Sequence, residues 1–144
     1  MTKLPKLEDF PVQDFDKIRY GDTDRQGHVN NAVFSTFLET GRASLLNHPG
    51  INAWRHDVYS YVIARLELDY RAELLWPGLV SVGTGITSIG NSSVVMRQAL
   101  FHEQNCVATA LIVMVQIGKT SKRPVPFTPE IRRLLEALQI KTKQ

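Results

Sequence analysis

Residues 20–31, which read Tyr-Gly-Asp-Thr-Asp-Arg-Gln-Gly-His-Val-Asn-Asn, place two carboxylates and a histidine directly before a predicted helix. At a helix start, unpaired backbone N–H groups and the positive end of the dipole favour an ionised carboxylate such as Asp24. The same N–H groups can polarise a carbonyl oxygen that lies beside them. Asp24 could therefore attack a carbonyl carbon or activate a water molecule against it, without a metal ion.

The same residues also have structural interpretations. Asp22 and Asp24 could organise an Asx-type turn and cap the helix, which is the usual role of loop aspartates. His28 could cap or pack, or it could orient a substrate and carry a proton. No other Asp, Glu or His lies at ligand spacing nearby, so we expect no metal site.

Apolar side chains at intervals of three and four residues predict one long helix from about residue 30 to 47, followed by an Asn-His-Pro-Gly stop signal. Alternation predicts a short strand at residues 14–20 before it. Later segments rich in β-branched and aromatic residues predict four strands, at 61–70, 79–89, 94–101 and 107–117. Short turns between these strands predict a meander of antiparallel neighbours. Thr128-Pro129-Glu130 predicts the start of a short helix that ends near residue 138.

The composition is that of one globular α+β domain over residues 1–144, with 43% apolar and 22% charged side chains. The net charge is +3 and no nucleic-acid reader motif accompanies the basic residues, so we expect no nucleic-acid partner. The chain has no apolar run of about 18 residues, so no membrane span is expected, and residues 1–10 carry charges where a signal peptide needs an apolar run. A single cysteine, Cys106, cannot form an internal disulfide and fits a reducing, cytoplasmic location.

The motifs at residues 20–24 and 27–31 resemble the signature of hotdog-fold thioesterases of the 4-hydroxybenzoyl-CoA thioesterase type. The likeness continues through Asp69-Tyr70-Arg71, through residues 88–93 and through Arg123-Pro124-Val125-Pro126, so it covers nearly the whole chain. The resemblance implies a five-stranded antiparallel sheet wrapped around one long central helix. It also implies a homodimer or homotetramer whose active sites lie between subunits, with coenzyme A as part of the substrate and no other cofactor.

The resemblance also implies roles for individual residues. Asp24 matches the catalytic carboxylate of the family, and Asn31 matches the position whose backbone N–H polarises the thioester carbonyl in aromatic-CoA members. Those members carry a tyrosine at the Asn31 position, whereas His-Val-Asn-Asn is similar to fatty-acyl thioesterases, including plant enzymes that act on acyl carrier protein. In the latter, Asp24 and His28 match residues proposed as catalytic. We therefore predict hydrolysis of a fatty or branched acyl-CoA.

Coenzyme A carries phosphates, so basic and polar side chains near strand and helix ends are candidates for substrate binding. These candidates are Asn30, Arg65, Arg71, Ser92, Lys119, Lys122 and Arg123; for each charged residue, a solvated surface position is the alternative. Phe34, Phe37 and Leu38 could line an acyl slot or belong to the core. Two other functions remain open on the same fold: a non-catalytic acyl-CoA or acyl-carrier-protein binding protein, and an acyl-carrier-protein thioesterase.

Overall fold

The computed structural model of the chain describes residues 3–47 and 57–141. Within these ranges, five strands form one antiparallel sheet: β1 (Val12–Ile18), β2 (Tyr59–Tyr70), β3 (Gly78–Ile89), β4 (Ser93–His102) and β5 (Asn105–Gly118). In the same ranges two α-helices accompany the sheet, α1 (Asn31–Leu46) and α2 (Pro129–Ala137). The predicted elements are all present, with ends that shift by one or two residues. Of the predicted stop signal after α1, Asn47 is the C-cap, while His48, Pro49 and Gly50 lie outside the described residues.

The first strand ends earlier than predicted, at Ile18, and residues 20–22 form a 3-10 turn. The cause is the buried carboxylate of Asp22, which accepts the backbone N–H of Arg19 at 2.8 Å and its guanidinium at 3.0 Å. These bonds curl the chain out of the sheet just after Ile18. The sequence pattern did not reveal them because Tyr20 continues the apolar alternation.

The predicted meander is correct for β3, β4 and β5 and wrong for β2. The order in the sheet is β1-β3-β4-β5-β2, so β2 pairs with β5 at the far edge. The connection between Tyr70 and Gly78 has seven residues, which reach about 23–25 Å when extended. Three inter-strand steps need only about 14 Å, so a short connection limits the distance between two strands without making them neighbours.

Helix α1 lies on the inner face of the sheet, and its buried face includes Phe34, Phe37, Leu38 and Leu45. Each such side chain contributes about 1.5–3 kcal/mol when it leaves water, so the face holds the helix on the sheet. At Gly41 the helix lies so close to β3 that a Cβ there would be 2.6 Å from Thr84 Oγ1.

Two short segments cover part of the outer face of the sheet. Phe10, from the segment before β1, packs on Ala99 and Phe101 of β4, and Ile140 after α2 joins this second cluster. The outer face therefore carries a small apolar cluster between the segment before β1 and the segment after α2, which we call the outer-face cluster.

Neither α1 nor α2 is long and apolar enough to cross a membrane.

Candidate active site

The predicted catalytic segment is a loop anchored to the start of α1. The Asn30 N–H donates to the carbonyl of Asp22 at 2.8 Å, and the Val29 N–H donates to the carbonyl of Leu74 at 2.7 Å. Asp22 itself is 3% exposed and bound to Arg19. Asp22 therefore holds the loop in place and is not available to a substrate.

Asp24 lies at the exposed tip of this loop. Its Oδ1 accepts the backbone N–H of Gln26 at 2.9 Å, its N–H donates to the carbonyl of His28, and its carbonyl accepts the N–H of Gly27. Gly27 has a φ of +86°, which glycine adopts without strain. One oxygen of Asp24 thus forms the expected Asx turn, while Oδ2 has no hydrogen-bond partner among the described residues.

The N-terminus of α1 presents the backbone donors that the sequence predicted. The side chain of Asn30 is the N-cap and accepts the N–H of Ala32 at 2.9 Å. Within the described ranges no acceptor faces the N–H of Asn31, as is normal in a first helical turn. The Asn31 carbonyl accepts the hydroxyl of Tyr70 at 2.9 Å, so the end of β2 is fastened to this helix start.

His28 is paired with a carboxylate that the sequence analysis missed. Its Nε2 lies 3.2 Å from Oε1 of Glu73, in the connection between β2 and β3. An antiparallel bridge between His28 and Leu75 aligns the two segments. A β2–β3 hairpin would have kept Glu73 away from α1, so the wrong meander prediction hid this contact.

A cavity of about 270 Å³ opens at this junction. Phe34 and Tyr70, whose rings meet edge to face at 5.0 Å, form its apolar wall. Its polar lining comes from His28, Arg71, Glu73 and the first residue of α1. Asp24 does not line this cavity but lies on the adjoining loop. The structure therefore brings His28, Asn31 and Arg71 together and places Asp24 beside them.

Arg71 is the basic candidate that reaches this cavity. Its Nε and Nη2 each lie 3.3 Å from the hydroxyl of Thr109, and Nη2 lies 3.6 Å from Asp69. Arg65 instead pairs with Glu67 on β2. The side chain of Arg71 is thus held at the end of β2, beside the mouth of the site.

The remaining candidates lie at the opposite end of the sheet. Tyr70, beside the cavity, pairs with Ala108, whereas the other end of β5 carries Gly118 opposite Tyr59. The β3–β4 turn and the loop after β5 lie at that second end, and they hold Ser92, Lys119 and Arg123. Within one chain these three residues do not meet Asp24.

The described part of the chain has no cluster of metal ligands and no activated thiol. No group of three or more His, Cys, Asp or Glu side chains is arranged there to hold a metal ion. Cys106 belongs to the outer-face cluster, and its burial raises the pKa of the thiol. A raised pKa lowers the thiolate fraction and makes this cysteine a poor nucleophile.

The fold and the site together define a hotdog domain with titratable side chains at the start of its central helix. A family model described as the thioesterase-like superfamily matches residues 18–135. The chain belongs to the thioesterase-like superfamily. The predicted family resemblance, the hotdog fold and the enzyme class are thereby confirmed.

Known relatives are moderately similar along most of their length. The acyl-CoA thioester hydrolase YbgC of Escherichia coli O6:H1 is 27% identical over 115 residues, 76% of this chain and 86% of YbgC. The long-chain acyl-CoA thioesterase FadM of Escherichia coli K12 is 27% identical over 126 residues, 85% of this chain and 95% of FadM. A thioesterase of Thermus thermophilus, solved with coenzyme A and Zn, has a TM-score of 0.80 and 30% identity over 94% of this chain and 99% of its own.

Proposed function

We propose that this protein hydrolyses fatty acyl-CoA thioesters to free acid and coenzyme A. The observation that carries the proposal is the junction at residues 24–31, where eight consecutive residues supply an exposed carboxylate, a paired imidazole and an unpaired helix N–H. Acyl-CoA is the substrate class named for both YbgC and FadM. The catalytic roles of Asp24, His28 and Asn31 are part of this proposal.

In the proposed reaction the thioester carbonyl accepts the Asn31 N–H, which stabilises the oxyanion of the tetrahedral intermediate. Asp24 either attacks the carbonyl carbon through Oδ2 or removes a proton from an attacking water. The first route forms a mixed anhydride that water then cleaves. In both routes the C–S bond breaks, the thiolate leaves and takes a proton, and the hydroxyl of water ends on the acid. We assign His28 the role of carrying that proton.

The preference for a fatty chain rests on the apolar inner surface between α1 and β2. A second cavity of about 240 Å³ lies further along this surface; its apolar lining comes from Ala43, Leu46, Ile63 and Met114, and Glu39 and Arg42 line its polar part. A flexible acyl chain that enters beside Phe34 would follow the helix towards it. FadM, which is named for long-chain substrates, supports the same preference.

We also propose that two copies of the chain associate through β2, as a homodimer or as a homotetramer of such dimers. β2 is an edge strand, and Val62, Ile63, Leu66 and Tyr70 are each 39–49% exposed on it. A long apolar edge of this kind is a template for pairing with another strand. Antiparallel pairing of two β2 strands would bring the partner's opposite sheet end to this site. Ser92, Lys119 and Arg123 would then serve the neighbouring active site.

Thiol release from a panel of acyl-CoAs and acyl-carrier proteins tests the proposed activity and its carrier. Asp24→Asn should reduce turnover by about 10²–10⁴-fold while the fold and the oligomer persist, because the amide can still hold the turn. Asp57→Asn, at an exposed position just before β2, is the matched control. Near-wild-type turnover in Asp24→Asn would sink the catalytic assignment.

The Asx turn at Asp24 favours one competing function, a binding protein without catalysis. In that case the carboxylate serves the loop, and the cavity holds an acyl thioester intact. Calorimetric binding of acyl-CoA by the wild-type protein, without thiol release at any chain length, would establish this alternative.

A further inference from the structure

The outer face of the sheet carries a basic depression, which we call the outer-face trough. It consists of two adjoining cavities of about 340 and 410 Å³ that share Lys3, Leu4 and Arg97. Strands β4, β5 and β2 form its floor, and the two chain-terminal segments form its sides. Each volume lies in the range of small-molecule sites, about 300–1,000 Å³.

Positive charge dominates the trough. Its cations are Lys3, Lys6, Arg71, Arg97 and Lys141. Its carboxylates already have protein partners: Glu67 pairs with Arg65, Asp69 faces Arg71, and Asp9 accepts the backbone N–H of Lys6. The trough therefore carries an excess of positive charge, because its five cations outnumber its three carboxylates.

Arg97 is the centre of this surface. It is half-buried on β4, between Gly85 of β3 and Leu111 of β5 in register. Among residues 3–47 and 57–141, no carboxylate or other acceptor pairs with its guanidinium, which carries five donors. No buried side-chain nitrogen in those ranges lacks a partner, so the guanidinium nitrogens of Arg97 reach the solvent of the trough.

One residue connects the trough to the active site. Arg71 lines both the outer-face cavity and the cavity beside His28. It lies at the end of β2, where the chain turns around the sheet. A ligand whose reactive end lies at the start of α1 can therefore pass over Arg71 onto the outer face.

We propose that the outer-face trough binds the phosphorylated nucleotide end of acyl-CoA, with Arg97 as a phosphate ligand. This inference rests on the proposed function, because coenzyme A joins its thiol through a flexible pantetheine arm to a pyrophosphate and a 3′-phosphoadenosine. Guanidinium groups bind phosphate through paired, charge-assisted hydrogen bonds. Leu4 and Leu111, which are 45% and 37% exposed, offer apolar surface to the base. The nucleotide would then lie away from Lys119 and Arg123 of the same chain.

The kinetic test compares an acyl-CoA with the same acyl group on N-acetylcysteamine, which lacks the nucleotide. In Arg97→Gln the ratio of kcat/KM for acyl-CoA to that for the truncated thioester should fall about tenfold or more, as expected for one lost charge-assisted contact. Lys6→Gln, at an exposed position, should lower the ratio in the same direction. Arg133→Gln, an exposed change on α2, is the matched charge control and should leave the ratio as in the wild type. An unchanged ratio in Arg97→Gln overturns the proposal.

A binding experiment separates this inference from the hydrolase assignment. Adenosine 3′,5′-bisphosphate should bind the wild-type protein in calorimetry and bind Arg97→Gln at least tenfold more weakly. If the wild type does not bind it, the trough is not a nucleotide site, even if acyl-CoA is hydrolysed. If the bisphosphate binds to the wild type but the protein cleaves no thioester, the proposed hydrolysis is wrong and the nucleotide site in the trough is supported. A changed oligomeric state in Arg97→Gln with an unchanged ratio would identify the face as a subunit contact and would overturn the proposal.

Discussion

The contact between His28 and Glu73 allows us to predict how much kcat/KM should fall when Glu73 is removed. Their side chains are 33% and 64% exposed and 3.2 Å apart, so solvent screens the interaction and its contribution is about 0.2–1 kcal/mol. That energy corresponds to about 1.4- to 5-fold in rate. We therefore expect Glu73→Ala to lower kcat/KM by no more than about fivefold, because the imidazole loses its orienting partner but remains in the site. Glu73→Gln keeps an acceptor oxygen and should recover most of the activity.

A double-mutant cycle measured by thiol release shows whether Glu73 acts through His28. His28→Gln alone should lower kcat/KM by about 10²–10⁴-fold. Adding Glu73→Ala to this variant should cost nothing further, since the orienting contact is already gone. Glu136→Ala, at an exposed position on α2, is the control for a lost surface charge. An equal loss from Glu73→Ala in both backgrounds would refute a positioning role, and so would a loss in the wild type well above about fivefold.

Three further predictions concern packing, assembly and titration. Gly41→Ala should destabilise the fold by about 1–3 kcal/mol in urea unfolding, because its Cβ would lie 2.6 Å from neighbouring side chains, whereas Gly21→Ala has open space and should be neutral. Leu66→Glu should shift the oligomer towards monomer in light scattering, whereas Leu79→Glu, at an exposed position on β3, should not. A persistent oligomer in Leu66→Glu would contradict pairing through β2. Burial raises the pKa of Tyr61 to about 12, so folded protein binds its phenolic proton more tightly than unfolded protein. The stability from this group is full below about pH 10 and is lost between about pH 10 and 12; Tyr61→Phe should flatten that part of the curve of unfolding free energy against pH.

Local sequence signals located most of the secondary structure. The Asn30 cap, the spacing of apolar residues in α1 and the Thr128-Pro129 start of α2 each act within a few residues, and the structure has all three. The two misplaced features depend on contacts that these patterns do not record. The early end of β1 follows from the buried carboxylate of Asp22, and the position of β2 follows from pairing with β5, which is distant in sequence.

In the candidate site, too, local features could be predicted from the sequence and contacts between distant segments could not. Residues 24–31 form a local unit, so their helix start, turn and cap could be predicted from adjacent residue types. Glu73 could not, because its contact with His28 depends on where the β2–β3 connection crosses the sheet. Arg97 was also missed, since a single arginine within an apolar strand gives no sign that its guanidinium lacks a partner.

The displacement of β2 to the sheet edge links these findings. Because β2 does not pair with β3, the chain after Tyr70 must cross the ends of β5 and β4 to reach Gly78. That crossing places Glu73 against His28 and leaves Arg71 at the rim between the inner site and the outer face. It also leaves the free edge of β2 open to a second copy of the chain. A topology with β2 beside β3 would lose all three features at once, so the function proposed for residues 24–31 depends on a strand that pairs far from them.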